Sequence, residues 1–264
     1  MSVVATAVSV VIYVGGTGTG YIPAPPAAAI QGFAAPVLGP GYTVQEYAYP
    51  GAPWDVPQAS APGLANAVAA DGPGTVVIGL SKGAQVARYS EVISTAPANS
   101  VSYVLIGDPD RPNGGLLSHM DKQYPFRYNT TEIYGQYDGF ADAPTHPLNI
   151  LADLNALAGM LVIHTQYGNG TALDPLTHLD QAIVTTHTNA NGTTTTTKMV
   201  PTAQLPIVTL LRAVGLPAKP AAQLNAFLKP IVDAGYSRSH TVKPAPKPVA
   251  AKAAKPVAHH GGKR

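Results

Sequence analysis

An α/β fold, with a mostly parallel central sheet flanked by helices, is predicted for this 264-residue chain by three features. The first is a β-branched run, Val8-Ser9-Val10-Val11-Ile12-Tyr13-Val14, that stops at Gly15-Gly16-Thr17-Gly18-Thr19-Gly20. Strands covered by helices on both faces read as such continuous apolar runs. The second is an alternation of strand-like and helix-like segments through residue 136, the pattern of a layered α/β sheet. The third is Gly79-Leu80-Ser81-Lys82-Gly83, which has a strand before it and a helical pattern after it.

Each element has a local reason. Ala27–Ala34, in an Ala/Pro-rich stretch, predicts a short helix, and Tyr42–Tyr47 a second strand. Ala59–Ala70 predicts a helix ended by the breakers Asp71-Gly72-Pro73-Gly74. Thr75–Ile78, Val101–Ile106 and Thr131–Gln136 predict three more strands, with helical spacing over Gly83–Ser94. Pro147–Leu161 carries apolar residues at 148, 151, 154 and 157, a helical stripe. Ala182–Val200 places Asn191-Gly192 between two Thr-rich runs, a strong hairpin signal, so the threonines at 193–197 form a strand and the hairpin is an insertion near 183–200. Helices follow at Gln204–Val214 and Pro220–Ala234.

Charge divides the chain. Seven of the sixteen Lys and Arg residues lie after residue 236, with no acidic residue among them, so residues 1–236 hold nine basic against fourteen acidic groups. The pI of 8.7 therefore belongs to a C-terminal segment, and a basic nucleic-acid-binding face is not expected. Residues 1–236 are expected to form one domain, and the Lys/Pro/Ala-rich residues 237–264 a disordered tail. Such a tail could contact anionic lipid or cell wall, at about 1 kcal/mol per basic group near the surface. The chain has no Cys, which excludes disulfides and thiolate chemistry. No apolar run reaches the ~18 residues of a membrane span. Met1–Val14 lacks the basic start and cleavage site of a secretion signal, so location stays open between the cytoplasm and release by a non-classical route.

The site is read from Ser81. In strand–turn–helix context, G-x-S-x-G is a nucleophile elbow: the serine sits on a strained turn with its hydroxyl exposed above the sheet. A serine nucleophile needs a base and a group to orient that base. Asp138 and Asp142 are the acid candidates, Asp138 directly after a strand and before Gly139; Asp108 reads as a site-wall residue. The base candidates are His146, His164, His178, His187 and His240. His164 ends the apolar run Met160–Ile163, and His178 is its main rival. The amide of Lys82 and the early loop at Gly16 and Thr17 would make the oxyanion hole. That loop fits neither phosphate-binding pattern, and no cofactor or metal is expected.

These residues resemble the PE-PPE domain family, serine hydrolases of mycobacteria and their phages. The resemblance rests on YVGGTGTG (Tyr13–Gly20), GLSKGAQVA (Gly79–Ala87), GDPDRPNGGLL (Gly107–Leu117), YDGFAD (Tyr137–Asp142), PLNILADLNALAG (Pro147–Gly159), IHTQY (Ile163–Tyr167) and VDAGYSR (Val232–Arg238). It implies a cutinase-like α/β-hydrolase fold and esterase or lipase activity on acyl esters, mycobacterial envelope lipids among them. Ser81 matches the nucleophile, Asp138 the acid and His164 the histidine. Lys82 departs from the glutamine expected after the nucleophile, and no PE or PPE helical module is expected ahead of the domain. An acyltransferase, a phage lysis esterase acting on mycolate esters, and a non-catalytic binding protein on the same scaffold are the alternatives.

Overall fold

The structure is a computed structural model that describes residues 9–18, 27–39, 41–118, 125–146 and 148–238. Its strands are β1 (Ser9–Val14), β2 (Tyr42–Glu46), β3 (Val76–Leu80), β4 (Ser102–Ile106), β5 (Asn129–Gly135), β6 (Ile183–Thr188) and β7 (Thr194–Val200). Its helices are α1 (Ala27–Leu38), α2 (Pro57–Asp71), α3 (Lys82–Ile93), α4 (Ile150–Val162), α5 (Pro206–Ala213) and α6 (Ala218–Asp233). Among the described residues seven strands form one sheet in the order β2-β1-β3-β4-β5-β7-β6. All neighbours are parallel except β6 and β7. The predicted hairpin thus forms the sheet's far edge. Val8, Thr19, Gly20, His119, His240 and all residues after 238 lie outside the described residues, so only Ser237 and Arg238 of the expected tail are described.

The near-continuous apolar strands are explained by burial on both faces. Along β1, Ile12 and Val14 pack with Val77, Leu105, Leu64, Val68 and Val86 under α2 and α3. Their neighbours Val11 and Tyr13 pack on the opposite face with Ile78, Val104, Ile106, Ile30 and Leu176. Each such aliphatic side chain contributes roughly 1.5–3 kcal/mol by leaving water. A third cluster (Tyr137, Ala152, Leu205, Val208, Ala221, Val232 and Tyr236) joins α4, α5 and α6 to the sheet's C-terminal end.

Helix α4 buries the face the leucine stripe does not mark. Ala152, Ala156, Ala158 and Gly159 are buried, while Leu148, Leu154 and Leu157 are exposed. One cause is close approach to the loop after β5: a side chain at Gly159 would overlap the Tyr137 carbonyl, so glycine is needed there. Among the described residues no helix is long and apolar enough to cross a membrane.

Candidate active site

Ser81 joins β3 to α3 at φ 53° and ψ −118°, a conformation that costs ~1–3 kcal/mol and persists only when its surroundings enforce it. Those surroundings are visible. The Ser81 amide donates to the Ile106 carbonyl on β4 at 2.8 Å, and its own carbonyl accepts from Ala84 N–H at 2.9 Å. A side chain at Gly79 would press on Gly83 and Ala84, and one at Gly83 would overlap the carbonyls of Val14 and Gly15. The glycines on either side of the serine are thus demanded by three backbones crossing at one point.

His164 and Asp138 come to Ser81 from other elements. His164 opens a 3₁₀ turn (His164–Gln166) at the C-terminal end of α4, and Asp138 lies three residues beyond β5. His164 Nε2 is 2.8 Å from Ser81 Oγ, and His164 Nδ1 is 2.9 Å from each oxygen of Asp138. Asp138 is fully buried. Gly107, at φ 59°, leaves room for the imidazole, since a side chain there would meet His164 and Tyr167. Phe140 lies against the imidazole with ring centroids 4.6 Å apart. The rival His178 is half-buried and turned to the Ala172 carbonyl at 3.1 Å; His146 and His187 are exposed.

The predicted oxyanion groups divide. Lys82 is the first residue of α3, where backbone N–H groups have no intrahelical acceptor and the helix end favours negative charge. Gly16 lies against Ser81: a Cβ built on it would sit 3.5 Å from Ser81 Cβ. Thr17 follows it as an exposed loop residue. The Lys82 side chain is buried and donates to the Ala52 carbonyl; burial lowers its pKa and Asp55 opposes that shift. Gly18 N–H donates to the Gly51 carbonyl at 2.7 Å and Tyr49 O–H to the Gly15 carbonyl at 2.7 Å. Lys82 therefore helps tie the 49–55 segment to the glycine loop beside Ser81.

Asp142, the second acid candidate, braces the loop instead. It accepts Tyr137 N–H at 2.8 Å and pairs with Arg238 at 2.6 Å and Arg111 at 3.7 Å. Arg238, which sequence counts with the tail charges, is thereby packed on the body. Sequence reasoning also missed Tyr167. Its hydroxyl donates to Asp138 Oδ2 at 2.7 Å and accepts Gly135 N–H at 2.9 Å, so it holds the Asp138 carboxylate in place. Burial foremost, and then Asp138, pushes the Tyr167 pKa far up and keeps the hydroxyl protonated as a donor. Its signal was present in Ile163-His164-Thr165-Gln166-Tyr167, three residues after His164. Tyr167→Phe is expected to lower kcat about tenfold with little change in KM, and to cost ~1–3 kcal/mol of stability through the orphaned Gly135 N–H. Steady-state kinetics and urea unfolding of the variant check this.

Asp108, the predicted wall residue, is buried beneath the site with Oδ2 unpartnered, and its Oδ1 accepts Asp110 N–H at 3.0 Å. Burial, reinforced by Asp110, raises its pKa to about 8. The unfolded carboxyl titrates near pH ~3.9, so the folded state binds the extra proton between those values. Its stabilising contribution is complete below pH ~3.9 and is lost as pH rises to about 8. Asp108→Asn, which mimics the neutral acid, is expected to melt higher than wild type at pH 7.5, the gap closing near pH 4. Thermal melts across that range would expose a wrong assignment as an unchanged pH slope.

Comparison with known proteins gives the site its context. The SL1278 acyltransferase Chp1 of Mycobacterium tuberculosis is 34% identical over 236 residues, covering 76% of this chain and 57% of that protein. Esterase PE16 of the same organism is 34% identical over 191 residues, covering 64% of this chain and 35% of its own. The diacyltrehalose acyltransferase Chp2 is 38% identical over 121 residues, covering 46% and 32%. The chain thus spans between about a third and just over half the length of these relatives. The PE-PPE domain model matches residues 58–237, from α2 through the strained serine, the Asp138 loop and His164 to the Tyr236–Ser237 end, and the chain belongs to the PE-PPE domain family.

Proposed function

We propose that the protein is a serine esterase or lipase that cleaves acyl esters through a covalent acyl-enzyme, with Ser81 as nucleophile, His164 as base and Asp138 as the acid that orients it. The observation that carries this reading is the unbroken hydrogen-bonded line from Ser81 Oγ through both ring nitrogens of His164 to Asp138. Buried Asp138 accepts His164 Nδ1–H, which leaves Nε2 free to take the serine proton. Ser81 Oγ attacks the ester carbonyl, and the oxygen that gains charge faces the Lys82 amide and the Gly16–Thr17 loop. Protonated His164 then gives its proton to the leaving alcohol. Water, activated by the same nitrogen, releases the acid and restores the serine.

An alcohol in place of that water makes the reaction an acyl transfer. Two relatives named as acyltransferases favour keeping this second reading. We take acylated sugar lipids of the mycobacterial envelope as the substrate class, which rests on the same relatives. The test is release of p-nitrophenol from esters of graded chain length, with and without a sugar alcohol acceptor. Product analysis by mass spectrometry separates free acid from transferred acyl group. Absence of turnover at every chain length, acceptor present or not, would end the enzyme reading.

A further inference from the structure

A groove of about 650 Å³ lies away from Ser81, on the sheet face that α2 and α3 leave uncovered beyond β5. That volume is within the ~300–1,000 Å³ of small-molecule sites. Strand register orders its floor. Glu132, Thr197 and Thr185 stand side by side across β5, β7 and β6, and Tyr134, Met199 and Ile183 form the next row. One row offers hydroxyls and a carboxylate, its neighbour an apolar strip. The threonine run that sequence reads only as a strand thus supplies Thr197 to the groove's polar row.

The polar row is incomplete. Glu132 is 4% exposed; its Oε2 accepts the Thr197 hydroxyl at 2.9 Å, while its Oε1 has no partner. A buried acceptor left open costs ~1–3 kcal/mol, more when it is charged, so it calls for a donor from a ligand. The arginines on the wall are committed elsewhere. Arg238 pairs with Asp142 and Asp233, and Arg111 donates to the Ala141 carbonyl and stacks over Tyr134 at 3.8 Å. With Glu132 and Asp142 also on the lining, an anion is disfavoured. Among the described residues no cluster could hold a metal ion.

We propose that this groove is a second binding site, for a neutral sugar whose hydroxyls meet Glu132 Oε1, Thr197 and Thr185 and whose apolar face lies on Met199 and Ile183. It stands independently of the reaction at Ser81. Isothermal titration of the full chain with glucose, mannose, maltose, cellobiose and trehalose, and with inorganic phosphate, tests it. Saturable binding of at least one sugar and none of phosphate is expected. Glu132→Gln and Thr185→Val should each weaken that sugar about tenfold while ester hydrolysis stays unchanged. Thr185 is exposed, so its valine variant decides the matter if Glu132→Gln fails to fold. No saturable heat from any sugar, binding of phosphate in their place, or sugar binding untouched by the variants overturns the assignment.

Discussion

Ser81→Ala is expected to lower kcat on a p-nitrophenyl ester by about 10⁴–10⁶-fold, leaving a small residue of catalysis from the oxyanion groups and binding. The size of the effect follows from what the hydroxyl alone supplies. It is the atom 2.8 Å from His164 Nε2 and, in the proposed mechanism, the one that forms the acyl-enzyme. Alanine keeps the backbone at φ 53° and removes no packing from the sheet, so the variant should remain folded. Circular dichroism and an unchanged melting temperature separate lost chemistry from lost structure. A fluorophosphonate probe should label wild type and leave the variant unlabelled. Turnover persisting within about tenfold of wild type would remove Ser81 from the mechanism.

The second large effect is expected at the histidines. His164→Ala should reduce kcat by about 10⁴-fold or more, because Ser81 then has no proton acceptor and Asp138 no partner to orient. His178→Ala should leave kcat within about twofold, since its ring is turned away from Ser81 and bonded to the Ala172 carbonyl. The pair forms an internal control: both changes remove an imidazole, and only one lies on the line from Ser81 to Asp138. Equal losses in the two variants would mean that the base is not His164.

How much of this could be read in sequence depended on how far each interaction reaches along the chain. Ser81 was legible because its elbow is local: a strand, a turn and a helix lie within a dozen residues, and the flanking glycines announce the backbone crossing. Asp138 stood ahead of Asp142 in sequence only by its place directly after a strand and by the family match. Both follow β5, and they differ only in that one faces His164 while the other faces Arg238 and Tyr137 N–H. His164 ends the apolar run Met160–Ile163 while His178 sits in the helix-like stretch 175–183, which ranks His164 first without showing that it reaches Ser81. Tyr167 was invisible as a positioning group because its two partners, Asp138 and Gly135, lie some thirty residues earlier. The α4 stripe shows the same limit from another side. Leucine spacing marks a helix, yet which face turns inward was set by the backbone at Tyr137, which leaves no room for a side chain at Gly159.

By itself, then, the sequence determined the parallel α/β sheet, the hairpin at Asn191-Gly192 and the serine elbow, each written in hydrophobic periodicity or turn chemistry within a few residues. Only the tertiary structure decided which histidine reaches Ser81, which aspartate turns it, that Arg238 belongs to the body, and that the threonines of β7 line a groove. Those outcomes depend on distances between side chains far apart in the chain. Such distances are fixed by strand register and close packing, which no local pattern encodes.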